Sequence, residues 1–130
     1  MPEREIILKS IDFALQVSAY DQLGPAGADL AAGARRELAA LTVGWTEAAR
    51  ACLASTALNV DRDRHQLDRG RNHFIKDFRQ RHGVDARGYA PEVRAQLEAG
   101  MADFNQRKLR VIEEASARLL AELKMAGHPA

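Results

Sequence analysis

Cysteine, proline and aromatic residues are all scarce in this sequence, and each scarcity narrows what the chain can be. The only cysteine is Cys52, so no intramolecular disulfide can form, and covalent haem attachment, which takes two cysteines, has no anchor. Aromatic residues supply 5% of the composition against 46% for apolar residues together, so a core must be assembled mostly from Leu, Ile, Val and Ala. β-branched residues are few and scattered, without the alternation that marks strands. No apolar run approaches the ~20 residues needed to cross a bilayer. Glu3, Glu5, Lys9 and Asp12 interrupt the apolar residues near the N-terminus, so this stretch does not resemble a secretory signal. At 130 residues the chain suits one domain with its own hydrophobic core. The expectation is a soluble, cytoplasmic, single-domain protein with no membrane association, no metal and no cofactor.

Helical periodicity fills most of the sequence. Pro2 suits the first position of a helix, and Glu3 and Glu5 suit its positive end. Ile7, Ile11, Leu15 and Ser18 then mark one face until Gly24-Pro25-Ala26-Gly27 breaks the pattern. Asp29 is a candidate N-cap for a second helix, whose apolar face runs through Leu30, Ala34, Leu38, Leu41, Trp45, Ala48 and Cys52. Ala40, Gly44, Ala48 and Ala51 form a flanking row of small residues, and Cys52 reads as a small core hydrophobe. Asn59 and Asp61 mark the favoured break before a third helix, although the absence of Gly and Pro between Trp45 and Arg69 also allows one continuous bent helix. The third helix buries Val60, Leu67, Phe74 and Phe78, with Gly70 on the same face as a close-packing point or a kink. His82-Gly83 ends it. Pro91 and Glu92 open the last helix, and Gly127-His128-Pro129 stops it.

These signals place helices at approximately 3–23, 29–58, 61–82 and 91–125, and short connections make the architecture an all-α, four-helix antiparallel (up-down) bundle with a long C-terminal helix. The last helix, about 35 residues, would span about 50 Å against about 33 Å for the first. Its apolar face, from Val93 and Leu97 to Leu119 and Leu123, then either projects or is covered by a second subunit, and a homodimer is the favoured resolution. On its other side Asp103, Arg107, Arg110, Glu114, Arg118 and Glu122 alternate in sign, as a solvated face does.

The net charge of +1 hides an uneven distribution. Residues 1–61 hold 5 basic and 8 acidic side chains, residues 62–130 hold 14 basic and 10 acidic, and 15 of the 19 basic residues are Arg. The segment around the third helix gathers Arg62, Arg64, Arg69, Arg71, Lys76, Arg79, Arg81 and Arg87, with three of the four histidines, His65, His73 and His82. Arg62, Arg69 and Lys76 would share one helical face. Arg64 and Arg71 would share another, flanking the apolar strip. The guanidinium fork stays charged and can make two hydrogen bonds to a phosphate, so the segment is a candidate phosphate contact. The plain alternative is a solvated helix held by pairs such as Arg64–Asp68 and Asp77–Arg81. Tyr89, in the loop from His82 to Tyr89, is the aromatic expected to be partly exposed and available for contact.

Signatures of catalysis are weak. Asp61, His65, Asp68 and Asn72 would share a stripe, but a metal site in a bundle draws ligands from several helices, and neither Glu-x-x-His nor His-x-x-x-His occurs. Neither Arg69 with His73 nor Arg79 with His82 has the spacing of a helical ribonuclease pair. No Gly-rich phosphate loop or nucleophile elbow is present. The leading expectation is a non-enzymatic helical interaction protein that binds another macromolecule, foremost a protein, through the Arg-rich third helix and the loop after it. A nucleic-acid-binding bundle using the same basic segment is the alternative, and a helical ribonuclease ranks below both.

Overall fold

A computed structural model describes residues 3–125, and these are almost wholly α-helical, with no strand among them. Four long helices follow one another: α1 (Glu3–Asp21), α2 (Ala28–Leu41), α3 (Glu47–His82) and α4 (Pro91–Met125). Short 3-10 turns at Gly24–Gly27 and Ala86–Gly88 lie in two of the three connections. The expected all-α, four-helix class is what the structure has. The proposed helix start at Pro2 and stop at Gly127-His128-Pro129 lie outside the described residues. Among those residues no helix is long and apolar enough to cross a membrane.

The break between the second and third helices falls elsewhere than Asn59. α2 ends at Leu41, where Thr42 N–H and its hydroxyl both donate to the Leu38 carbonyl, the hydroxyl at 2.9 Å. Gly44 then takes φ +82°, a left-handed conformation that only glycine adopts cheaply. Thr46 starts α3, its hydroxyl accepting from the Ala49 N–H at 3.1 Å. Asn59 and Asp61 are interior to α3, which runs without interruption for 36 residues. Gly44 is thus a helix stop and not one of a row of small packing residues. The apolar spacing from Leu30 to Cys52 crosses that stop only because a three- and four-residue rhythm happens to continue beyond it. Asp29 sits in the first turn of α2, whose N-cap is Gly27.

The chain forms two compact units, residues 1–61 with 112–130, and residues 62–111. The first unit holds nearly all of the buried core. Ile7 and Ile11 of α1, Ala31 and Ala34 of α2, Leu53, Ala57 and Val60 of α3, and Ala115, Leu119 and Leu123 of α4 are each at most 6% exposed. Alanines at the contacts let helix axes come close. The buried hydroxyls of Ser10 and Ser116 donate to the carbonyls of Ile6 and Ile112, at 2.7 and 2.8 Å, and so cost little to bury. Lys124 beside Glu3 and Glu122 beside Cys52 bring the end of α4 to the starts of α1 and α3, the course of an up-down chain.

The second unit is a helical hairpin of 62–82 and 91–111. Asp68 meets Lys108 and Phe74 meets Phe104, so residue numbers rise along one strand of the hairpin as they fall along the other. Its packing is aromatic. Phe74 stacks obliquely on Phe78 and Phe104 at 5.9 and 6.1 Å between centroids, and Phe78 on Tyr89 at 5.7 Å. Two glycines make room for the rings. A Cβ on Gly100 would overlap the Phe74 ring, and one on Gly70 would stand 3.2 Å from Phe104. Gly70 is therefore a close-packing point.

Gly100→Ala should lower stability by about 1 kcal/mol, because overpacking of about 1–3 kcal/mol exceeds the helix-propensity gain of about 1 kcal/mol. Gly70→Ala, with a less severe contact, should be close to neutral. Urea unfolding followed by circular dichroism reads both. A Gly100→Ala variant more stable than the parent would contradict the interlocked packing.

Candidate functional site

The two units differ in charge as well as in packing. The first carries 7 basic and 11 acidic side chains, a net −4, and the second 12 basic and 7 acidic, a net +5. The excess on the second unit is arranged by the helical repeat. With 100° between successive residues, Val60, Leu67, Phe74 and Phe78 turn one face of α3 inward. The opposite face carries Arg62, His65, Gln66, Arg69, Asn72, His73, Lys76, Arg79 and Gln80, and every one of these residues is exposed.

Between Arg62 and Gln80 no carboxylate stands on that strip, although Asp61, just before it, projects at the same angle as Arg79. Asp63, Asp68 and Asp77 lie to its sides, roughly a quarter turn or more from its mid-line. Members of it touch flanking acids: Arg62 Nε is 3.5 Å from Asp63, and His73 Nε2 is 3.5 Å from Asp77. Among the described residues no carboxylate comes within ion-pair distance of Arg69, Lys76 or Arg79. Lys76 and Arg79 also line a shallow depression of about 510 Å³, with Asn72, Ile75, Gln80 and Val84 around it. Hydrogen-bond donors of this density, with no carboxylate paired to Arg69, Lys76 or Arg79, can take the oxygens of an extended anion.

The anticipated intrahelical pairs Arg64–Asp68 and Asp77–Arg81 do not form. Asp68 turns across the hairpin to Lys108, 2.7 Å away, and Asp77 pairs with His73. The hydrogen bond from Lys108 holds the Asp68 carboxyl below the usual carboxylate range, with lesser help from the charges of Lys108, Arg64 and His65. The consequence for the strip is indirect: Asp68 is occupied away from it. Along α4, Asp103 and Arg107 do pair as expected, at 2.8 Å, with Arg107 over the Phe104 ring.

Of the nine residues singled out from the sequence, Arg62, Arg69, Lys76 and Arg79 share the strip. Arg64 and Arg71 are half-buried beside the apolar face, and the Arg71 Nε is buried without a partner. Arg81 is exposed but lies off the strip. Arg87 closes on Asp85 with both its backbone N–H and its guanidinium, which depresses the Asp85 carboxyl. Tyr89 is not available for contact: it is 8% exposed, its ring packs on Phe78, and its hydroxyl donates to the Gly83 carbonyl. The loop is a folded plug over the end of the hairpin, because Tyr89 supplies apolar area that this small unit lacks. Missing from the sequence reading were Gln66, Asn72 and Gln80 as neutral members of the strip. A helical projection of 62–80 that scored acids as well as bases would have found it.

Two other features compete for attention. Cys52 is half-buried, not part of the core, and its thiol donates to the Glu122 carboxylate at 3.0 Å. That hydrogen bond, then partial burial and the Glu122 charge, push the thiol upward, away from reactivity. In the first unit an open groove of about 550 Å³ is lined by Leu15, Val17, Leu38, Ala54 and Leu58, with Asp21 and Asp61 among its other residues. Leu15 and Ser18 border this groove and are only half-buried, unlike Ile7 and Ile11. Among the described residues no three His, Cys, Asp or Glu side chains converge as metal ligands would. No family model matches the chain, and neither a curated protein nor a solved structure does.

Since folding depresses the Asp68 carboxyl, the Asp68–Lys108 pair adds stability above the free-aspartate range and loses it as pH falls through the folded value. Lys108→Met should return the Asp68 titration, read by NMR, to the ordinary carboxylate range. It should also flatten the acid limb of stability by less than about 1 kcal/mol, as suits a partly exposed pair. An unchanged Asp68 titration would contradict the assigned partner.

Proposed function

We propose that the chain is a binding protein whose α3 strip docks on the sugar–phosphate backbone of a nucleic acid. One observation carries this reading: the exposed face of α3 from Arg62 to Gln80 presents cations and neutral donors with no carboxylate among them. A protein partner was the leading expectation for this segment, and Arg is common at protein interfaces, but there it accompanies apolar or aromatic anchors at the buried centre. The strip offers arginines without any apolar or large aromatic side chain among them. Its composition suits a partner that is anionic along its length, and phosphate contacts through Arg and Lys supply most of such affinity.

Binding of fluorescently labelled polynucleotides, read by anisotropy, should weaken steeply as salt rises. The triple variant Arg62→Gln, Arg69→Gln, Lys76→Gln should weaken it by about tenfold or more for all sequences alike, since each lost phosphate contact acts independently of the base. Arg81→Gln, exposed but off the strip, should leave it nearly unchanged. Equal losses from the triple variant and from Arg81→Gln, or an affinity indifferent to salt, would contradict the reading.

The groove of the first unit favours a second reading, in which the protein partner is another copy of this chain. Leu58 on its wall is 66% exposed, and Leu23 and Leu30 in the same unit are 58% and 55% exposed, large apolar groups that association would cover. Sedimentation at micromolar concentration should then show a dimer that Leu58→Ser converts to monomer. A parent chain that sediments as a monomer would end this reading and leave the first untouched.

A further inference from the structure

Resting on the nucleic-acid reading above, we infer that the strip takes a double-stranded helix and discriminates against single strands. Proteins that hold single strands combine a basic groove with exposed aromatic rings on which the bases stack. Here none of the seven aromatic residues is exposed. The four in the second unit, Phe74, Phe78, Tyr89 and Phe104, are in contact with one another in the hairpin interior. Bases of an open strand therefore find no exposed Phe, Tyr or Trp to stack on, and only the smaller planes of the strip's His and Arg side chains.

The geometry of the cations points the same way. Arg62, Arg69 and Lys76 stand on one unbroken α-helix at seven-residue intervals, a rise of about 10.5 Å each. Arg79 borders the same face and extends it further along the helix. Their spacing along the axis is therefore set by the backbone, within the reach of the side chains. A duplex presents phosphates in a fixed lattice, about one charge per 1.7 Å of axis, and so loses little conformational entropy of its own on meeting the row. A single strand has to be ordered to meet the same row, and no exposed Phe, Tyr or Trp is there to offset that cost by stacking.

The test uses the full chain with short labelled DNA and RNA duplexes and with the single strands that compose them, compared by anisotropy at low and moderate salt. Duplexes should bind about tenfold or more tightly than their strands. With four phosphate contacts, duplex affinity should fall on the order of a hundredfold for a fourfold rise in salt, and the triple variant Arg62→Gln, Arg69→Gln, Lys76→Gln should reduce that fall to about fourfold. Circular dichroism checks that the variant remains helical. Preference for DNA or RNA duplexes identifies which double helix is taken, and either supports the inference. Single strands binding as tightly as duplexes would overturn it while leaving the nucleic-acid reading in place. Absence of salt-sensitive binding to all four probes would overturn both.

Discussion

The second unit depends on how two helices with little apolar surface can stay together. Its answer is reciprocal: Phe74 of α3 lies over Gly100 of α4, and Phe104 of α4 lies against Gly70 of α3. Each ring occupies space that a side chain on the opposing helix would otherwise claim, and Phe78 and Tyr89 extend the same stack toward the loop. A few large rings thereby bury what many aliphatic residues bury elsewhere. The polar face of α3 is left with no packing duty, and nine consecutive members of it can be cations, histidines and amides.

Packing and charge are consequently divided between the two units. In residues 1–61 and 112–130, Ile, Leu, Val and Ala from all four helices form the core, and acids outnumber bases. In residues 62–111 aromatic rings form a thin core, and bases outnumber acids. Charge of one sign on a surface destabilises by self-repulsion. Asp68 relieves some of that repulsion from the side, through Lys108, without entering the strip.

The helical class, the span of α4 and the basic character of α3 were legible in the sequence, because each rests on a period that many residues repeat. The α2–α3 break was not. It is made by Gly44 in a left-handed conformation with Thr42 and Thr46 closing the two helix ends, and the apolar rhythm from Leu41 through Trp45 to Cys52 runs over it as though nothing were there. Tyr89 was misplaced for a related reason: loop residues are usually solvated, but a hairpin with so little apolar surface recruits a loop ring into its core. The arginines were recognisable one by one. Their sorting into a strip with no acid, with Arg64 and Arg71 turned elsewhere, depends on register along a helix that begins well before Asn59.

The most direct test of the account is residue-by-residue mapping of bound nucleic acid by heteronuclear NMR, titrating a short duplex into the labelled full chain. The account predicts that the perturbed signals fall on Arg62, His65, Arg69, Asn72, Lys76 and Arg79, with Ile7, Ile11 and Leu119 of the first unit unchanged. Perturbation centred on the groove around Leu58, with the α3 strip silent, would contradict it.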